Sequence, residues 1–564
     1  MNHTGNMPRE NHAVPVSDWL AALVHPERLD SFRAAYGEKA GLITERVALV
    51  RQTLTAFQKR FGDLPVRVFR APGRINLRGM HVDTHGGYLN LMTHQREVVL
   101  VTTLSEDGQN ILANVDPAHA ETAFFLDAEI GHAGGSSWFK FISHPDIRRR
   151  VDARRNTPGH VWTNYGIGAA LRVRHAFPEC RLPALKILVH SDLPSGAALS
   201  SSAALSIGTL QAYAGHAGCP LSLEHGIRAE QDVEWYAGAR VGMSDQTAIL
   251  MGRPEQVLHL ALFAEDFHLH NARYYPFPRD LALLVINSHT KRNLSGAQRV
   301  QYSLNRFAYS MAITVLQAEL LRAGWDTETV ACLDRLSRLT PEILGGPART
   351  YKLLRNIPET IDLDALRERY APPDLDEAYA RYFDGLLPEE QPRQIPLRGP
   401  LLFGIAESER ARLFPELLQE DYAQAGTLMC IGHDGDRIRG RDGASFQIKV
   451  DDAALNALAR ENTPLAHCPG CYGASSPALD ALVDAALDGG ALGASLTGAG
   501  LAGAVIALCR MEDTEQVAEA VQRCLRSSAY ARTAARPTPL TATEARQAVI
   551  VNHAVAGACE LLPT

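Results

Sequence analysis

Long apolar runs are missing from this 564-residue chain, and none of its hydrophobic stretches is long enough to span a bilayer. Cysteine is sparse. The nine residues are an odd number and widely scattered, which excludes a disulfide framework and points to a reducing cytoplasm. The one Cys-x-x-Cys, Cys468 to Cys471, has no second pair to complete a four-ligand zinc site. It also lacks a thioredoxin-like context, so it reads as a loop with two incidental thiols. Positive charge is not in excess. With 56 Lys and Arg against 63 Asp and Glu, the formal charge of −7 argues against nonspecific nucleic-acid binding. Residues Met1 to Pro15 lack the basic head and apolar stretch of a signal peptide and read as a disordered lead-in. No internal repeat is present. What remains is an ordinary globular composition, 46% hydrophobic and 21% charged, at a length that favours more than one domain.

The most informative segment is Pro194-Ser195-Gly196-Ala197-Ala198-Leu199-Ser200-Ser201-Ser202. It follows the apolar run Ile187-Leu188-Val189 and precedes a helical run from Ala203 to Ala214. Strand, small-residue loop and helix together make an anion site. Backbone N–H groups can approach a phosphate there, and the helix start adds partial positive charge. Serine hydroxyls can serve phosphate oxygens or a hydrated cation. A flexible linker is the alternative.

Other segments carry candidate chemistry. Gly238 to Gln246 places Asp245 after a glycine-punctuated loop, where it can accept a proton from a substrate hydroxyl or cap a helix. Glu230, Asp232 and Glu234 lie in a helical run, with Glu230 and Glu234 on one face. They suit Mg²⁺ beside a serine hydroxyl, or form a solvated acidic face. Val66 to Phe69 alternates as a strand, and Ala71-Pro72-Gly73-Arg74 reads as a turn after it. Arg74 can neutralise a transferring phosphoryl group, and His81 and Asp83 can bind a polyol; a surface turn with scattered charges is the alternative. Gly86-Gly87 reads as a hairpin-like reversal. Ser495 to Gly503 is a Gly-rich turn ahead of a buried strand, Ala504 to Leu508, and follows an amphipathic helix through Leu479, Leu482, Val483 and Ala486. Residues 340–398, rich in Pro, Arg and acidic side chains, read as a surface insertion carrying some helix.

Together these segments resemble the GHMP small-molecule kinases, most closely the galactokinase branch. Ala71 to Leu77, with Gly79, His81, Asp83 and Gly86-Gly87, resembles the galactokinase sugar motif. Pro194 to Ala204 resembles the family's phosphate loop, Gly238 to Gln246 its catalytic-Asp segment, and Leu496 to Gly500 its third motif. Weaker matches are Trp162 to Tyr165, Asn293 to Gly296, Leu428-Met429 with His433, and Ser475 to Pro477. The order is the family's order, over about 65–310 and again from about 398 to 510 and beyond. The resemblance implies an α+β, two-lobed fold, with an N-terminal lobe like ribosomal protein S5 domain 2 over 16–275. A ferredoxin-like C-terminal lobe would occupy 276–564. ATP and the acceptor would bind between them.

The resemblance also implies roles. Pro194, Gly196, Ala197, Ala198, Leu199, Ser200, Ser201 and Ser202, with Gly498 and Gly500, would bind ATP. Ser202 would hold Mg²⁺ with Glu234, or with Asp232 or Glu230 instead. Asp245 would take the acceptor's proton or orient its hydroxyl. Arg74 would stabilise charge on the γ-phosphoryl group and depress the pKa of Asp245. His81, Asp83 and Gly242 would line the sugar pocket. The expected activity is ATP-dependent phosphorylation of a monosaccharide or sugar derivative at its anomeric hydroxyl, in the cytoplasm, without nucleic-acid or membrane partners. The departures from galactokinases fall on the sugar side: Met80 replaces Glu, and the pocket Tyr falls near Arg299. Ala198 replaces Gly in the phosphate loop, and Ser495 replaces Arg. Resemblance to sugar-acid kinases adds the expectation that Arg78 and Arg299 pair with a substrate carboxylate. The rival readings are another small-alcohol kinase and a sensor that binds ATP and sugar without turnover. Intact Ser202-Ala203-Ala204 and Asp245 favour the enzyme.

Overall fold

The computed structural model describes residues 12–563 except 136, 195, 197, 198, 240, 291–296, 384 and 385, and it leaves the side chains of 297–299 and 302 undescribed. The first lobe is built on β2 (Pro65–Arg78) and β3 (Tyr88–Leu104), a long antiparallel pair. Their alternation explains the layers. Val66, Val68, Val99 and Val101 point to one face and pack on helix α1 (Ala40–Phe61) through Val50, Leu54 and Phe57. Phe69, Ala71, Val98 and Leu100 point to the other face, where α2 (Thr163–Ala176) and α3 (Ser201–Ala217) cover them. The sheet runs β1 (Val14–Pro15), β2, β3, β6 (Leu185–Ser191), β4 (Asn110–Asn114), β5 (Thr122–Phe124). β7 (Gln256–Ala261) pairs with the start of β3 and with β8 (Arg273–Pro276). Helices α4 (Leu223–Ala237) and α5 (Ser244–Met251) pack against α2 and α3.

The second lobe is a four-stranded antiparallel sheet in the order β12 (Gly493–Thr497), β13 (Ala504–Arg510), β9 (Leu281–Asn287), β14 (Val549–Val551). Ala282, Leu284 and Ile286 of β9 face the helices α9 (Pro477–Asp488) and α10 (Thr514–Leu525). Leu281, Leu283 and Val285 face the other way and join the first lobe's core beside Phe414, Leu418 and Met429. Those residues come from α7 (Arg398–Glu420) and α8 (Tyr422–Asp436), which seat one lobe on the other.

Four expectations from the sequence change here. Ala71 to Arg74 is not a turn: β2 runs through it, and the Pro72-Gly73 pair makes a register shift against β3. Val14 and Pro15 of the expected lead-in pair with Val66 and Pro65. Residues 340–398 do not simply lie on the surface. They fold as short helices and a ribbon of β10 (Thr360–Asp362) with β11 (Gln394–Pro396). Tyr351, Leu354, Ile357 and Leu366 are buried with Phe307 and Leu316 of α6 (Ala297–Arg322). The segment 276–564 also does not stay in one lobe. β15 (Cys559–Leu561) returns to pair with β2, and buried Arg70 ties the carbonyls of Ala556 and Gly557. Among the described residues, no helix is long and apolar enough to cross a membrane.

Candidate active site

A cavity of about 410 Å³ lies where β2, the loop before α3, the loop before α5 and α6 converge. Asp245 stands in it, on the first turn of α5, and Met243 rather than Asp245 is the N-cap. Its two carboxylate oxygens accept from Nε and Nη2 of Arg74 at 2.6 and 2.8 Å, a bidentate pair bridging residues far apart in sequence. The hydroxyl of Ser200 also donates to Asp245. Ser200 is the N-cap of α3 in the left-handed conformation, φ 59°, and among the described residues no side chain caps that helix. The uncapped first turn leaves backbone N–H groups for an anion. Gly196, Leu199, Ser201 and Ser202 line the same cavity. Ala197 and Ala198 lie outside the described residues, and Pro194 leads into the loop.

Ser202, Glu234 on α4 and Tyr165 on α2 line the same cavity. Burial pushes the Glu234 carboxyl up to about 7; the Ser202 hydroxyl opposes this and the charge of Asp245 adds to it. Glu230, one turn earlier, is fully buried, not a solvated face; burial first, then the charge of Glu234, raises its carboxyl well above the usual range. Asp232 is turned away and receives Nε of Arg172 at 2.7 Å. Among the described residues, no cluster of three or more His, Cys, Asp or Glu forms a ready metal cage. The Ser202 hydroxyl and Glu234 nevertheless fit Mg²⁺, a hard cation that keeps water and phosphate oxygens among its ligands.

The sugar-motif residues gather at the opposite wall. Asp83 lines the cavity and accepts from the Ser244 hydroxyl at 2.8 Å. His81, at φ 64°, stacks on Tyr472 with ring centroids 4.4 Å apart, and its Nε2 lies 3.4 Å from Asp436 Oδ1. Gly242 passes so close to Asp83 that a Cβ there would lie 2.1 Å from Oδ2. Gly242→Ala is therefore expected to displace the Asp83 carboxylate, raising the acceptor's KM about tenfold, the worth of one charged hydrogen bond. The KM for ATP should stay near wild type in the same steady-state assay.

Several expected residues act elsewhere. Arg78 does not reach the cavity. It is buried, 3.6 Å from Glu407, with Nη2 3.1 Å from the Ser495 hydroxyl and Nη1 on the carbonyls of Leu428 and Met429. Ser495, small where the family has Arg, leaves room for that guanidinium. Met80 packs in the second lobe's core beside Leu284 and Leu496. Its N–H and that of Gly79 donate to Glu407, which fixes the turn after β2. The side chain of Arg299 lies outside the described residues. Two turns further along α6, Arg306 lines the cavity. Gly498, φ 76°, lines it too, whereas Gly500, φ 72°, packs on the Ala474 carbonyl. Thr497 exchanges hydrogen bonds with the Asn76 backbone, linking the Gly-rich turn to β2. Cys468 is buried in the core, and the Cys471 sulfur accepts from Gln447. Asp436, Tyr472, Arg306 and Glu407 were not found from the sequence.

Family models match in three places. The GHMP kinases N terminal domain matches residues 164–253, α2 through α5, and the GHMP kinases C terminal matches 449–531, which contains β12, β13, α9 and α10. The galactokinase galactose-binding signature matches 55–103, from the end of α1 through most of β3. The chain carries the N-terminal and C-terminal domains of GHMP kinases and a galactokinase-like sugar region. It is an ATP-dependent sugar kinase, with ATP as co-substrate. Its fold resembles the Lactococcus lactis galactokinase complexed with galactose, at 19% identity and a TM-score of 0.58, over 91% of this chain and 99% of that one. The Methanococcus jannaschii mevalonate kinase matches at 15% identity and a TM-score of 0.41, over 81% and 94%.

Proposed function

We propose that this kinase transfers the γ-phosphoryl group of ATP to the anomeric hydroxyl of a monosaccharide or sugar derivative, giving a sugar 1-phosphate and ADP in the cytoplasm. The observation that carries this reading is the Arg74–Asp245 pair, set between the uncapped start of α3 and the wall of His81 and Asp83. Asp245 orients the acceptor hydroxyl and receives its proton as the oxygen bonds to phosphorus and the bond to the ADP oxygen breaks. Arg74 offsets charge on the phosphoryl group. Ser202 and Glu234 would hold Mg²⁺, which when bound neutralises phosphate charge. A second cavity of about 460 Å³ shares Tyr165, Ser201 and Ser202 with the first and adds Trp162 and His119, a seat for the nucleotide base. The free cysteines agree with a reducing compartment.

Arg306 favours a sugar acid among possible acceptors, because a buried guanidinium in the pocket wall matches a carboxylate in charge and geometry. A coupled ADP-release assay over neutral, acidic and amino sugars tests both readings, with ³¹P NMR to locate the phosphate. The expected result is sugar-dependent ADP release with an anomeric phosphate. Arg306→Ala should raise KM for the acidic sugar by about 10- to 100-fold, the worth of a charge-assisted contact, and much less for a neutral one. No release with any sugar overturns the first reading, and equal effects on both sugars overturn the second.

A further inference from the structure

One turn beneath Ser202 and Glu234, helices α3 and α4 carry the same pair of residue types again. The helices are joined by the short connection 218–222 and pack against each other, so they run antiparallel. Ser202 and Glu234 line one cavity from the two helices, which sets their register. Four residues further along α3 stands Ser206, and four residues back along α4 stands Glu230, so the same register brings Ser206 opposite Glu230. Both are fully buried, and the Ser206 hydroxyl and both Glu230 oxygens have no hydrogen-bond partner among the described residues. Gln246, next to Asp245 on α5, has an orphaned side-chain oxygen as well.

The charges around Glu230 sharpen the point. The carboxyl groups acting on it are Glu234, Asp245 and Asp232, and the Tyr165 hydroxyl is a further ionisable neighbour. Asp245 has Arg74 and Asp232 has Arg172. Glu230 and Glu234 have no ion pair among the described residues. A buried carboxyl group without partners is costly, and such orphans mark the place of an ion or a water. A water serves the protonated carboxyl groups, whereas a cation displaces their protons and supplies the counter-charge of the ionised pair. Two carboxylates and a hydroxyl are hard oxygen donors, the kind that Mg²⁺ and Mn²⁺ take.

We propose that Glu230 and Ser206 form an inner divalent-cation site that fills without nucleotide and shares Glu234 with the cation that arrives with ATP.

The test is a titration of Mn²⁺ into the full-length, nucleotide-free protein, with free Mn²⁺ read by electron paramagnetic resonance. The wild type is expected to bind one equivalent and to gain thermal stability from Mn²⁺ alone. Glu230→Gln, nearly isosteric, should weaken this binding by at least about tenfold, while Mn·ADP binding by calorimetry stays within a few-fold. Ser206→Ala should weaken it less. No Mn²⁺ bound without nucleotide overturns the proposal, as does equal binding by Glu230→Gln. An unmoved wild-type melting temperature in Mn²⁺ overturns it too, and that measurement needs no variant. None of these readouts uses phosphoryl transfer, so failure of the sugar-kinase assay and failure of this site are separately visible.

Discussion

Asp245→Ala is expected to lower kcat by roughly 10²- to 10⁴-fold, the range for losing a positioned acid–base group, while ATP still binds. The reason lies in what else the carboxylate holds. It fixes Arg74 by two hydrogen bonds and accepts from Ser200 at the start of α3. Its removal takes away the proton acceptor and also frees the guanidinium that faces the phosphoryl group. Asp245→Asn separates these effects, because the amide keeps the shape and one acceptor oxygen but not the charge. Both variants should lose turnover and keep nucleotide affinity within a few-fold in a fluorescence titration. Ser200→Ala should cost far less, since Arg74 still orients the carboxylate. Asp245→Ala with turnover within tenfold of wild type would assign the proton to another group.

How far the sequence revealed this site depends on the range of each interaction. Ser200 to Ser202 and Asp245 were legible because each sits at a local pattern, a small-residue loop entering a helix. Even there the sequence left a helix cap as a rival for Asp245. The structure resolves it, because Met243 takes the cap position and Arg74 takes the carboxylate. Arg306, Tyr472 and Asp436 were hidden for the opposite reason. They come from helices and a loop whose local pattern speaks only of packing, and they meet His81 and Asp83 only after both lobes close on the cavity. Arg78 misled because its charge stands in a motif, yet Glu407, distant in sequence, draws it into the core. Residues 340–398 misled by composition. Their Pro and charged residues dominate the count, while Tyr351, Leu354 and Ile357 supply a buried stripe. The three-residue β15 has no periodicity to read; pairing with β2 gives it its conformation.

Glu234→Gln is expected to reduce kcat/KM for MgATP by roughly 10²-fold, comparable to losing one strong electrostatic contact to the transferring group. The size of the defect should depend on pH and on Mg²⁺. Burial holds the Glu234 carboxyl at about 7, and only the carboxylate form takes a cation. At low, fixed Mg²⁺ the wild-type rate should therefore fall as pH drops through about 7. Raising Mg²⁺ should move that acid limb to lower pH, because the cation competes with the proton. Stability carries the same signature with its own sign. The folded carboxyl titrates near 7 and the unfolded one near 4.5, so between those values the fold binds the extra proton. Stability of the cation-free protein should be unaffected by this group below about pH 4.5, then decline as pH rises toward 7 and level off above it. Added Mg²⁺ should offset the decline, since it stabilises the charged form in the fold alone. Glu234→Gln should lose the Mg²⁺-dependent shift of the acid limb and flatten this part of the melting-temperature profile. An acid limb that still moves with Mg²⁺ in Glu234→Gln would give the titration to a different group, with Glu230 the first to substitute.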